Sequence, residues 1–137
     1  MKGLLVDSNV LLDVFEDDPV WAPWSQEMLD QFSITHALCI NPIIYAEISV
    51  GFERIEQLEA AIDACGLRML EVPKEALFLA AKVFVEDRRR KGIRLSPLPD
   101  FFIGSHAAVE NLELLTRDAS RFKSYFPSVK LISPSLQ

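Results

Sequence analysis

Four acids in this chain stand where an acid needs a reason. Asp7 interrupts the run Leu4-Leu5-Val6-Asp7-Ser8-Asn9-Val10-Leu11-Leu12, which is apolar on either side of its polar centre. Glu47 follows Ile43 by four residues and Ile44 by three, which in a helix sets it at or beside an apolar face, partly out of water. Asp100 comes at the end of Leu95-Ser96-Pro97-Leu98-Pro99, a stiff connector, and Asp118 follows the strand candidate Leu112-Glu113-Leu114-Leu115 after Thr116 and Arg117. Taken singly, each acid reads equally as a helix cap, a rim side chain or half of a surface ion pair. Gathered on one rim, they would be something else. Two like charges about 4 Å apart repel by about 4 kcal/mol at an effective dielectric near 20, so clustered carboxylates must be protonated or bridged by cations. Oxygen ligands without a Cys or His cluster favour Mg²⁺ or Mn²⁺ over zinc. Such an ion lowers the pKa of a bound water and neutralises a phosphodiester under in-line attack, so the chemistry open to these residues is phosphodiester hydrolysis.

The elements that must position the acids follow from apolar periodicity. Leu4, Leu5 and Val6 predict a buried strand with Asp7 at its carboxyl end; Ser8 or Asn9 then caps a helix carrying Val10, Leu11 and Val14. Glu16-Asp17-Asp18-Pro19 breaks that helix. A second helix is predicted over about residues 21–32, a strand over 37–40, and a third helix opened by Asn41-Pro42 with Ile43, Ile44, Ile48 and Gly51 on its apolar face. Residues 54–64 predict a helix with Ile55, Leu58, Ala61 and Ile62 in register and Gly66 as its stop; residues 68–72 predict a strand. The longest helix runs from Lys74 to about Lys91, with Leu77, Ala80, Ala81 and Phe84 apolar and a basic tail. A helix starting at Asp100 carries Phe102, Ile103, His106, Ala107 and Glu110, and strands are predicted over 112–115 and 129–132. Phe122, Tyr125 and Phe126 read as core or edge packing. His106, a turn and a half after Asp100, either approaches the same cleft or is hydrogen-bonded at the helix surface.

Strands alternating with helices predict a single α/β domain over residues 1–137, a mainly parallel central sheet flanked by helices. In such a sheet the strand carboxyl ends share one rim. Asp7 and Asp118 would lie on it directly, Asp118 repeating the setting of Asp7, while Glu47 and Asp100 sit on helices that begin from it.

Composition excludes several classes. Half of the 137 residues are hydrophobic, enough for one ordinary core, and no apolar stretch reaches membrane-spanning or signal-peptide length, which predicts a soluble, cytoplasmic protein. Cys39 and Cys65 lack metal-ligand spacing and read as reduced core thiols. The net charge of −6 argues against binding nucleic acid by bulk electrostatics, but the charge is unevenly spread. Residues 1–50 hold eight acids and one base, whereas Arg88, Arg89, Arg90, Lys91 and Arg94 can form a local basic patch on a phosphate backbone or a solvated helix end.

With these residues in hand, the chain resembles the PIN-domain ribonucleases and, within them, the VapC-like toxins of bacterial toxin–antitoxin pairs. The resemblance rests on Val6-Asp7-Ser8-Asn9-Val10-Leu11-Leu12, Ala46-Glu47-Ile48-Ser49-Val50-Gly51, Asp100-Phe101-Phe102-Ile103-Gly104, and Leu115-Thr116-Arg117-Asp118 followed by Arg121-Phe122, in that order along nearly the whole chain. Ser8 stands where Thr is commoner, and Gly104-Ser105-His106 replaces the more usual small apolar residues. The resemblance implies a Mg²⁺- or Mn²⁺-dependent endoribonuclease in which Asp7, Glu47, Asp100 and Asp118 are the acidic metal positions and Asn9 and Thr116 support them. It implies 5′-phosphate and 3′-hydroxyl products, a homodimer, and an antitoxin lying in the active-site groove. Arg117, Arg89 and Arg90 are candidates for steering the RNA backbone. The competing readings are a DNA nuclease on the same acids and a non-catalytic PIN-like binding module; an aspartyl phosphatase would want a second acid where Asn9 stands.

Overall fold

In the computed structural model, which describes residues 1–91 and 98–134, the three apolar residues ahead of Asp7 are fully buried and belong to strand β1, Lys2–Val6. Burial of such side chains is worth about 1.5–3 kcal/mol apiece, which fixes the depth of the strand and with it the position of Asp7. Strands β2 (His36–Ile40), β3 (Arg68–Met69), β4 (Glu113–Leu115) and β5 (Leu131–Ile132) join it in one parallel sheet, in the order β3-β2-β1-β4-β5. The strand order reverses between β1 and β4. In an open parallel sheet that switch point is where a crevice forms beyond the carboxyl ends.

Helices α1 (Ser8–Phe15), α2 (Ala22–Thr35), α3 (Pro42–Ile48), α4 (Ile55–Ala64), α5 (Lys74–Lys91), α6 (Leu98–Val109) and α7 (Ser120–Lys123) complete the expected α/β architecture, with a 3₁₀ turn at Ser49–Gly51. α1 stops at Phe15 as the acidic cluster predicts, Asp17 taking a left-handed φ of 51°. Asn41 caps α3, its Oδ1 accepting from Ile44 N at 2.9 Å, and Pro42 opens the helix where no N–H is required. Gly66, at φ 67°, ends α4. Cys39 and Cys65 are free thiols.

Several expectations are corrected. The cap of α1 is Asp7 itself, and Ser8 is already helical. β3 is shorter than residues 68–72 because β2 ends at Ile40, which pairs with Met69 and takes the Leu70 N–H; beyond it the chain has no strand to pair with. β5 is likewise only Leu131–Ile132, matched to Leu114 and Leu115. On α4, Leu58 is buried but Ile55 is exposed. The buried positions of α5 are Ala76, Ala80, Val83 and Asp87, at i, i+4, i+7 and i+11; of the expected face Ala80 is buried and Phe84 packs half-buried against Phe101, whereas Leu77 and Ala81 are exposed. Asp87 lies on the buried face, where Tyr125 Oη donates to it at 2.7 Å. α6 begins at Leu98, so Asp100 lies inside its first turn rather than before it; the preceding Leu95-Ser96-Pro97 and Arg94 fall outside the described residues.

α6 is seated by a close approach at Gly104, where an added Cβ would stand 2.3 Å from the Phe126 ring. Both residues are buried. Gly104→Ala is therefore expected to destabilise the protein by about 2–3 kcal/mol through overpacking, read as a lower urea midpoint at unchanged slope. An unmoved midpoint would show that this contact does not seat α6.

Candidate functional site

The parallel register sets Val6 beside Leu115, and the Asp7 N–H donates to the Leu115 carbonyl at 2.9 Å. Asp7, Asn41 and Thr116 are thus the residues that immediately follow β1, β2 and β4, in one row along the carboxyl rim. The residue across the switch point from Asp7 is Thr116, not Asp118, which corrects the expected repeat. Thr116 Oγ1 donates to Asp7 Oδ2 at 2.8 Å, while Ser8 N donates to Oδ1 at 2.8 Å. With both oxygens engaged and 2 % of its surface exposed, Asp7 is held in one orientation. Asn9 reaches the same segment, its Nδ2 3.4 Å from Thr116 Oγ1 and its Oδ1 3.4 Å from Arg117 N.

Glu47, on α3, comes to this rim and accepts a hydrogen bond from Ser8 Oγ at 2.8 Å. Asp100, on the first turn of α6, is buried, and Arg121 of α7 grips it with two charge-assisted hydrogen bonds, Nε to Oδ2 at 2.8 Å and Nη2 to Oδ1 at 2.9 Å. Asp118 stands at the edge, half-exposed, accepting from Ser120 Oγ and 4.0 Å from Arg121 Nε.

Electrostatics ties the inner acids together. Burial pushes the Asp100 carboxyl up to about 6; Arg121 opposes the rise, and the charges of Asp7 and Glu47 add to it. Burial likewise raises the Asp7 carboxyl, against the Thr116 hydrogen bond and Arg121, with Glu47 adding to the rise. The folded chain therefore binds more protons than the unfolded chain from about pH 4 to 6. Their stabilising contribution is complete below the unfolded pKa and is lost as pH rises through the folded one. In the presence of chelator, the melting temperature is expected to carry a falling component from pH 4 to about 7 that Asp100→Asn reduces. An equal slope in that variant would assign the dependence to other groups.

Three residues of this neighbourhood went unassigned in the sequence. Arg121 closes the fourth motif, yet nothing in its spacing shows that it turns back to Asp100, since that contact joins two helices. Asp13 is buried on α1, where it accepts from Ser25 Oγ and from Arg117 Nε, each at 2.8 Å. The Arg117 guanidinium also lies 5.1 Å from the Trp21 ring. Asn41 is the third: while capping α3 it sends its Nδ2 to His106 Nδ1 at 3.0 Å, so His106 is a neutral, buried strut between α3 and α6 rather than a surface residue. Burial lowers its pKa accordingly. Arg89 and Arg90 stay exposed at the end of α5, Arg90 lying over the Tyr125 ring.

Among the described residues no three Asp, Glu, His or Cys side chains form a ready-made metal-ligand set. The chemistry of the donors nonetheless fits a hard divalent cation: Asp7, Glu47 and Asp100 offer oxygen alone, and the charges of Asp7 and Glu47 both disfavour ionisation of Asp100. One of them already requires a fixed cation, Arg121.

The PIN domain family model matches residues 4–125. Among solved structures, FitAcB from Neisseria gonorrhoeae is similar at a TM-score of 0.72 and 20% identity, covering 98% of this chain and 99% of that one. VapBC2 from Rickettsia felis, bound to a DNA fragment from its promoter, matches at 0.71 and 19%, covering 95% and 97%. DNA-bound VapBC from Salmonella typhimurium matches at 0.70 and 20%, covering 97% and 98%. No curated protein sequence matches. Among the described residues no helix is long and apolar enough to cross a membrane.

Proposed function

The chain belongs to the PIN domain family, and from that premise we propose that it is a divalent-metal-dependent endoribonuclease, the toxin of a toxin–antitoxin pair. The observation that carries this reading is the placing of Asp7, Glu47 and Asp100 at the carboxyl rim of the β1/β4 switch point, with Ser8 joining Asp7 to Glu47; burial there, with the charges of Asp7 and Glu47 adding to it, pushes the Asp100 carboxyl up to about 6. These three would hold Mg²⁺ or Mn²⁺, with Asp118 at the outer edge. A bound ion supplies a water of lowered pKa and neutralises charge on the scissile phosphate.

The rest is done by the chain's own residues. Thr116 and the Ser8 N–H aim the Asp7 carboxylate, Ser8 Oγ aims Glu47, and Asn9 fixes the 116–118 segment beside them. Arg117, with its Nε committed to Asp13, meets the RNA backbone as a stationary charge, and Arg89 and Arg90 add positive potential from the end of α5. Hydrolysis leaves 5′-phosphate and 3′-hydroxyl ends. A toxin–antitoxin complex from Klebsiella pneumoniae is among the similar structures, and an antitoxin with basic side chains suits the acidic first half of this chain. A homodimer is the proposed assembly.

The test uses the protein purified free of antitoxin, given Mg²⁺ or Mn²⁺, on a structured RNA and a DNA of the same sequence. Cleavage of the RNA alone, abolished by EDTA, is the expected result. Cleavage of the DNA would move the site to the DNA nuclease reading, and cleavage of neither would leave a binding module.

A further inference from the structure

Asp100 presents an odd pairing for a residue whose proposed task is to hold a cation. Both of its oxygens are already taken, in bidentate geometry, by a cation the chain itself supplies. The pair is unequal: 5 % of the Asp100 side chain is exposed, against 34 % for Arg121. The carboxylate is thus fixed at the inner end, while the guanidinium sits on a four-residue helix with an open path to solvent. The same guanidinium lowers the proton affinity of Asp7 as well as Asp100 and lies 4.0 Å from Asp118. A single positive charge therefore serves Asp7 and Asp100, two of the three acids that a divalent ion would serve.

We propose that Arg121 is an internal counter-cation that occupies Asp100 in the metal-free protein and competes with the divalent ion for it. The inference rests on the metal-dependent reading of the site and adds a regulatory element to it: ion binding requires the guanidinium to withdraw from Asp100. Coupling between two such cations is reciprocal. What the ion does to the Arg121 contact, the Arg121 contact does to the affinity for the ion. A purely structural ion pair behaves in the opposite way, since removing it would loosen the site and weaken ion binding.

The experiment measures Mn²⁺ affinity by calorimetric titration of the full chain, without RNA, for the parent, Arg121→Gln, Arg121→Lys and Asp100→Asn. Arg121→Gln, which keeps a polar side chain but no charge, is expected to bind Mn²⁺ roughly tenfold more tightly, within the usual range of coupling between two sites. Arg121→Lys, which keeps the charge, should remain close to the parent, and Asp100→Asn should lose affinity. Urea unfolding of each variant shows that the comparison is between folded proteins. A second readout is the side-chain Nε–H resonance of Arg121, expected to lose its protection from water exchange as diamagnetic Mg²⁺ saturates the protein. If the parent binds Mn²⁺ and Arg121→Gln binds it equally or more weakly, or if the Nε–H signal ignores Mg²⁺, the competition is refuted while the metal reading stands. If neither the parent nor Arg121→Gln binds Mn²⁺ at millimolar concentration, the metal reading fails and the competition falls with it.

Discussion

Asp7→Asn is expected to lower RNA cleavage on the order of a thousandfold or more while leaving the protein folded and at least as stable as the parent. The two halves of this result come from the same cause. Asp7 is buried between the Ser8 N–H and the Thr116 hydroxyl, in a setting that raises its pKa chiefly by burial. Asparagine keeps an oxygen for the Ser8 N–H but loses the bond from the Thr116 hydroxyl, whose oxygen already accepts from Asn9 Nδ2 and Asp118 N. That loss is offset by relief of a buried charge. Cleavage loses a ligand to the ion, and charge stabilisation worth several kcal/mol corresponds to a rate factor of that size. Initial cleavage rates and thermal unfolding, measured on one preparation, check both halves. Cleavage within threefold of the parent would remove Asp7 from the chemistry.

Asp13→Ala is expected to be the most damaging polar substitution away from the acids. Asp13 is almost fully buried and joins three elements: its own helix α1, Ser25 of α2, and Arg117 at the end of β4. Breaking a buried pair by removing one partner typically costs about 3–5 kcal/mol, and the partial exposure of Arg117 brings the expectation to about 2–3 kcal/mol. Cleavage should fall as well, by about tenfold, because the 116–118 segment that aims Asp7 loses its anchor. Asp13→Asn, which can still accept from Arg117 and Ser25, should recover most of the stability. Urea denaturation and cleavage kinetics at a temperature where all variants are folded make the comparison. Equal stability of Asp13→Ala and the parent would show that the network is not structural.

The sheet and the elements that carry Asp7 and Glu47 were legible because these depend on local signals. The apolar run before Asp7, the Asn41-Pro42 opening of α3 and the place of Glu47 on it are legible within a few residues. What was hidden depends on pairing between distant segments. Asp118 resembled Asp7 in having an apolar strand before it, but the register puts Thr116 opposite Asp7 and leaves Asp118 half-exposed. The inward face of α5 was misplaced in part because a hydrophobic pattern passes over Asp87, which accepts from the hydroxyl of Tyr125, 38 residues away. Arg121 gave no sign of its role for the same reason: its partner lies 21 residues earlier on another helix. His106 was read as a surface or cleft residue, whereas the amide of Asn41 gives it an interior partner.

Asp7, Glu47 and Asp100 are proposed to hold a divalent ion together, and an anomalous difference map at the manganese edge decides it. Crystals of the antitoxin-free protein soaked in Mn²⁺ are predicted to show a peak at the carboxyl rim, with carboxylate oxygens of Asp7 and Asp100 at about 2.1 Å and Arg121 withdrawn. A map with no peak at that rim, and Arg121 still on both oxygens of Asp100, would contradict it.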